Sequence, residues 1–189
     1  MKKLVLFLVI ILSFKSAQAQ FKMGIGPQVN IPLNSDFSLG AGFSADAKYM
    51  ITEQLGIGIT IGYQHFFMAD NWKDVWYDKW GVRYNDANFN LTPIRATLSY
   101  YFGTGKLKPY IGMETGINKF HWTYTYQDRI YDELSTDFTE THFAFALNTG
   151  MEISLGNTVA FDVNLKYNGF DESYVSGKFG IVVTLGGNK

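Results

Sequence analysis

The residues best equipped for chemistry are charged and stand at alternate positions within stretches of apolar and small residues. They are Asp46 and Lys48, Arg95, Glu114, Glu152, Asp162 and Lys166, and Lys178. Paired carboxylates in an open cleft perform general acid–base chemistry. The same groups in a narrow, poorly solvated interior neutralise one another instead. Their signs nearly balance, with Lys22 a possible fifth base, so the expected arrangement is an internal charge network rather than a catalytic pair. His65, His121 and His142 show no HxH or HxxxH spacing, so neither a metal nor a cofactor is expected. Ser99, Ser154 and Ser176 are the hydroxyls a lipid-modifying Ser/His/acid site could use, and no spacing singles one out. Trp72, Trp76 and Trp80 stand four apart, so a helical turn would align them on one face. Trp122, Tyr124 and Tyr126 alternate, which suggests strands running beyond a membrane. Exposed aromatic residues are enriched at recognition surfaces, and these six are the candidate surface-binding residues. An extended edge at this end could also accept a partner strand.

The elements that position these groups are strands. In Leu55-Gly-Ile-Gly-Ile-Thr-Ile-Gly-Tyr63 the odd positions are large and apolar, and the even ones are glycine or threonine. The same period of two runs through 39–51, 143–153 and 159–167, and the three- and four-residue spacing of a helix is missing. Eight strands are expected near 21–32, 38–51, 55–68, 89–102, 107–122, 140–155, 159–168 and 174–186. Tight turns at 52–54, 104–105 and 156–158 alternate with connections that include two long ones, near 69–88 and 123–139. A two-residue turn at Thr104-Gly105 sets Leu98 against Ile111 and Arg95 against Glu114. The turn at 156–158 sets Glu152 against Asp162. Two facing acids require either that Arg95, Lys166 or Lys178 reaches across, or that one carboxyl keeps its proton.

One strand face is therefore apolar and the other is small, polar or charged. A transmembrane barrel turns the apolar face to lipid; a soluble ligand-carrying barrel turns it inward. Glycines on the polar face suit a narrow closed interior. Tyr49, Tyr100, Tyr101, Phe102 and Tyr110 at one end, and Tyr63, Phe67, Phe120, Trp122 and Tyr167 at the other, suit interfacial girdles. The expected fold is all-β: an eight-stranded antiparallel up-and-down transmembrane β-barrel. An interior of that strand number is filled by its own side chains.

The N-terminus supports export. Met1-Lys2-Lys3, the apolar run Leu4–Phe14 and Ala17-Gln18-Ala19 match a signal peptide, and the apolar run is too short for a membrane-spanning helix. The expected division is a signal peptide over 1–19 and an outer-membrane barrel domain over 20–189. Cleavage would remove three lysines and take the formal charge from −1 to −4. The chain has no basic run and no cysteine, which argues against nucleic-acid binding, disulfides and thiolate chemistry.

On these residues the chain resembles the small outer-membrane β-barrels of the OmpA/OmpX-like superfamily, especially variants common in Bacteroidetes. The stretch Leu98-Ser-Tyr-Tyr-Phe-Gly-Thr-Gly-Lys-Leu-Lys-Pro-Tyr-Ile-Gly112 is similar to a strand–turn–strand hairpin of that family. The resemblance implies a barrel in the outer membrane with roles in envelope integrity, adhesion or small-solute passage, and no shared catalytic set. Partners would be outer-membrane lipid, lipopolysaccharide and the insertion machinery. Many members end in an aromatic residue, where this chain ends Val183-Thr-Leu-Gly-Gly-Asn-Lys189. The leading expectation is a non-enzymatic barrel with outward aromatic loops serving envelope stability or surface binding. The alternatives are a narrow pore for small or apolar solutes and a lipid-modifying enzyme.

Overall fold

The computed structural model describes residues 20–33, 37–68, 83–127, 134–169 and 173–186. The N-terminal segment read as a signal peptide lies outside them, as do Trp72, Trp76 and Trp80. The strands are β1 (Gln20–Pro32), β2 (Phe37–Met50), β3 (Leu55–Met68), β4 (Arg83–Tyr101), β5 (Leu107–Gln127), β6 (Leu134–Ser154), β7 (Val159–Gly169) and β8 (Tyr174–Leu185). Each pairs antiparallel with the next, and β8 returns to β1, closing an eight-stranded barrel. Closure satisfies backbone groups that an open sheet would leave bare in hydrocarbon.

Side chains alternate as the sequence pattern requires. Ile25, Ile59, Ile111, Leu147, Leu165 and Phe179 point outward and are exposed. Lys22, Asp46, Arg95, Glu114, Glu152 and Asp162 point inward and are buried. The interior is tight enough to dictate small residues. A Cβ on Gly42 would collide with the Tyr63 carbonyl of β3, and one on Gly24 would stand 2.8 Å from the Asp46 carboxylate oxygens.

Two details depart from expectation. First, the β4–β5 register is slipped by two: Tyr101 pairs with Tyr110, Leu98 with Met113, and Arg95 with Gly116 rather than Glu114. The cause is a wider turn. The Phe102 amide donates to the Pro109 carbonyl at 2.8 Å, and Gly103 takes a left-handed φ of 121°. An even slip preserves the faces, so Arg95 and Glu114 still both enter the lumen.

Secondly, β4, β5 and β6 run longer than expected, at 19, 21 and 21 residues against 11 to 14 for the others. On their outer face the apolar run stops at Ile94, Ile117 and Phe143, and the next outward row is Thr92, Lys119 and Thr141, paired side by side. From Leu107 to Ile117 is about 11 residues, the length of a tilted transmembrane strand. Beyond that row β5 continues to Gln127, roughly 30 Å of extended chain. The outer face of this extension meets no hydrocarbon and turns polar on β5 at Lys119, His121, Thr123 and Thr125, while its inner phase stays aromatic at Phe120 and Trp122.

Candidate functional site

The lumen closes in layers. At the short-turn end, the Lys22 ammonium lies 2.6 Å from Glu152 Oε2 and 4.2 Å from the centre of the Tyr101 ring. The Tyr101 hydroxyl donates to Glu152 Oε1 at 2.7 Å. Met50, Tyr101 and Tyr110 pack into an apolar cluster at the same level.

Glu152 and Asp162 do face one another across β6 and β7. They are separated electrostatically, because each answers to a different base. Lys178 stands 3.1 Å from Asp162 and donates to Asp46 at 2.6 Å. Tyr110 donates to the other Asp162 oxygen at 2.8 Å and accepts from the Asn164 amide at 2.9 Å. Lys48 lies 3.6 Å from Asp46.

A third group surrounds Glu114, which receives Lys166 at 2.7 Å, Asn148 at 3.2 Å and Arg95 at 3.7 Å. Arg95 also donates to Asn168 at 2.6 Å and Asn118 at 2.7 Å. Bases from β1, β2, β4, β7 and β8 thus meet acids from β2, β5, β6 and β7, so the network crosses the lumen rather than running along a strand. The space left among Asp46, Lys48, Glu114, Lys166 and Lys178 is about 10 Å³. That is room for about one water and not for a hydrated ion.

The outer third of the lumen is built differently. Phe37, Phe66, Phe89, Leu91, Phe120 and Tyr174 form a buried cluster joined by Met68 and Trp122. Phe37 stacks on Phe89 with ring centres 4.7 Å apart, and Trp122 lies 4.0 Å from Phe89. The girdle expectation therefore needs correction. Tyr49, Tyr100, Phe102, Tyr63, Phe67 and Tyr167 do point outward. Tyr101, Tyr110 and Phe120 are lumenal and buried, and Trp122 packs on the inner cluster. Strand ends alone do not reveal face; parity does.

The remaining candidates do not converge. His65 and His121 belong to the outward row through Asn90, where His65 Nδ1 lies 2.9 Å from Asn90 Oδ1. His142 sits against the Phe120 ring on the lumen side, with Nε2 3.1 Å from Glu140. No cluster of metal-ligating residues occurs among the described residues. Ser99 and Ser176 are buried in the lumen, and Ser154 lines the short-turn mouth, at the far end from the histidines. Tyr124 and Tyr126 pair through their backbones with Thr136 and Leu134 of β6.

Residues 4–185 match the family model described as outer membrane protein beta-barrel domain. The chain belongs to that family. Its apolar outer face is accordingly the lipid face, and it is a protein of the outer membrane. Among solved structures of this architecture, Ail of Yersinia pestis, in complex with the heparin analogue sucrose octasulfate, superposes with a TM-score of 0.57 at 12% identity, covering 89% of this chain and 99% of Ail. OprG of Pseudomonas aeruginosa gives 0.60 at 14%, over 89% and 96%. Neisserial surface protein A gives 0.51 at 18%, over 90% and 97%. At such identities they share the fold alone. No curated protein matches the sequence.

Proposed function

We propose that this family member is a non-enzymatic, non-conducting outer-membrane barrel whose long-strand end acts outside the cell, in surface binding or envelope stability. The observation that carries this reading is a combination. The lumen is filled, while β4, β5 and β6 continue beyond the outward row at Thr92, Lys119 and Thr141. A sealed barrel with a three-stranded sheet standing off the membrane is organised to present a surface. The candidate residues there are Trp72, Trp76, Trp80, Trp122, Tyr124 and Tyr126.

Composition supports a sign for the partner. The four connectors at that end, 33–36, 69–82, 128–133 and 170–173, hold nine acids and three bases. The short turns 51–54, 102–106 and 155–158 hold one of each. An acidic outer end repels a polyanion such as the heparin analogue bound to Ail and favours a cationic partner such as a basic polypeptide.

Excision of residues 71–81 tests the reading. The barrel should still fold, and cells carrying it should lose adhesion to surfaces coated with a basic polypeptide. Undiminished adhesion would defeat the assignment. The pore alternative draws on the aromatic outer lumen, which suits an apolar solute better than an ion. Steady planar-bilayer conductance by the purified protein would favour a pore over the sealed barrel. The lipid-modifying alternative predicts a changed lipid profile in cells lacking the protein.

A further inference from the structure

Outside the lowest ion layer, the short-turn end opens into a polar cavity of about 660 Å³. That is the size of a small-molecule pocket. Its floor is the Lys22–Glu152 pair, and its wall carries Lys106, Lys108, Ser154, Thr158 and Thr184. We propose that this vestibule is a binding site for a small organic anion bearing a carboxylate or phosphate group.

The argument rests on an imbalance that the fold creates. Lys108 stands directly across from Glu152 in the β5–β6 register, where a simple cross-strand ion pair would be expected. Glu152 is already committed: Lys22 holds one oxygen at 2.6 Å, and the Tyr101 hydroxyl holds the other at 2.7 Å. Lys108 is half-buried, and neither it nor Lys106 forms an ion pair with a described residue. Among the described residues, Glu53 on the rim is the sole other carboxylate lining the cavity. Two ammonium groups with no ion-pair partner among the described residues thus face a concave space lined by hydroxyls. An ammonium partly withdrawn from water favours any anion that can reach it, and the hydroxyls can donate to the oxygens that the lysines leave unbound. The closed floor makes the site a terminus rather than an entrance. The site is independent of the outer surface and stands or falls separately from the proposed function.

The test uses the mature protein, residues 20–189, in detergent, with its lysines reductively methylated with a carbon-13 label and followed by NMR. Succinate and glycerol 3-phosphate are the two probes and glycerol the neutral control, all at constant ionic strength. The expected result is a saturable shift at Lys106 and Lys108 with either anion, none with glycerol, and none at Lys119 on the outer surface. The tighter probe identifies the source as carboxylate or phosphate. Lys108→Gln should weaken binding about tenfold, the loss of one charge-assisted contact, and Lys119→Gln should not weaken it. Lys108→Gln lies at the mouth, and retained resistance to unfolding by cold detergent would show that its barrel is intact. Non-saturating shifts, shifts equal at Lys119, or binding unchanged in Lys108→Gln would overturn the proposal.

Discussion

The inner and outer parts of one lumen are closed by opposite chemistries. From Lys22 to Arg95 the interior is filled by ion pairs, and every base but Lys48 meets a carboxylate on another strand. From Leu91 to Trp122 it is filled by phenyl and indole rings. Ion pairs fail badly when one partner is lost, because the survivor stays buried and charged. Aromatic packing fails in proportion to the volume removed. Position explains the division. The ionic layers lie at bilayer depth, where the apolar wall excludes water and the charges must pair internally. The aromatic layer lies near the outward row at Thr92 and Lys119, where a dry plug separates that network from the outside.

The comparison can be broken most forcefully at Lys178, which serves both Asp46 and Asp162. Lys178→Met should cost about 3–5 kcal/mol in urea unfolding from lipid, since it leaves Asp162 without a base and Asp46 with Lys48 alone, at 3.6 Å. A loss below 1 kcal/mol would show that the network is not the main filler of the lumen. Phe89→Ala, in the other region, should cost about 3 kcal/mol in the same measurement, in proportion to the ring volume removed. Ile59→Lys should cost about 2–4 kcal/mol if its outward, 63% exposed side chain meets hydrocarbon. A neutral result would contradict lipid contact at that depth. Replacing Lys22 and Glu152 by leucine together with Tyr101 by phenylalanine should change stability by less than about 1 kcal/mol, because both desolvation penalties leave with the pair and no buried hydroxyl loses its acceptor. On the projecting sheet, Thr123→Ala should cost under about 0.5 kcal/mol, although it removes a 2.9 Å hydrogen bond to Asp137, because that bond competes with water.

Much of the ionic region is legible in the sequence. Asp46, Lys48, Glu152 and Asp162 occupy the small-residue phase of strands whose other phase is apolar, so parity alone turns them inward. What parity cannot supply is partnership. Arg95 was expected opposite Glu114 and instead faces Gly116, yet it lies 3.7 Å from Glu114 because a long side chain spans an even slip. Lys22 as the partner of Glu152 depends on how far β1 and β6 approach across the closed barrel, which no local pattern encodes.

The aromatic region is less legible. Phe120 and Trp122 stand near a strand end, the usual place for girdle residues, and only their even phase, shared with Glu114 and Asn118, marks them as inward. Phe37, Phe66 and Phe89 lie on the same inner face. A run of apolar residues on the nominally polar phase is the signal that distinguishes a plug from a girdle. On β5 the extension is legible in the alternation of Trp122, Tyr124 and Tyr126, whereas β4 and β6 carry no matching aromatic run over 83–88 and 134–141 to mark how far they continue.

The chain separations of the lumen pairs govern how the barrel can be made. Lys22 and Glu152 are 130 residues apart, and Asp46 and Lys178 are 132 apart. Neither pair can form within a hairpin or between sequential hairpins. A half-built sheet entering hydrocarbon would carry unneutralised charges until its last strands arrive. Insertion must therefore be nearly all-or-none, and whatever delivers this chain to the bilayer has to hold it away from lipid until the first and eighth strands meet.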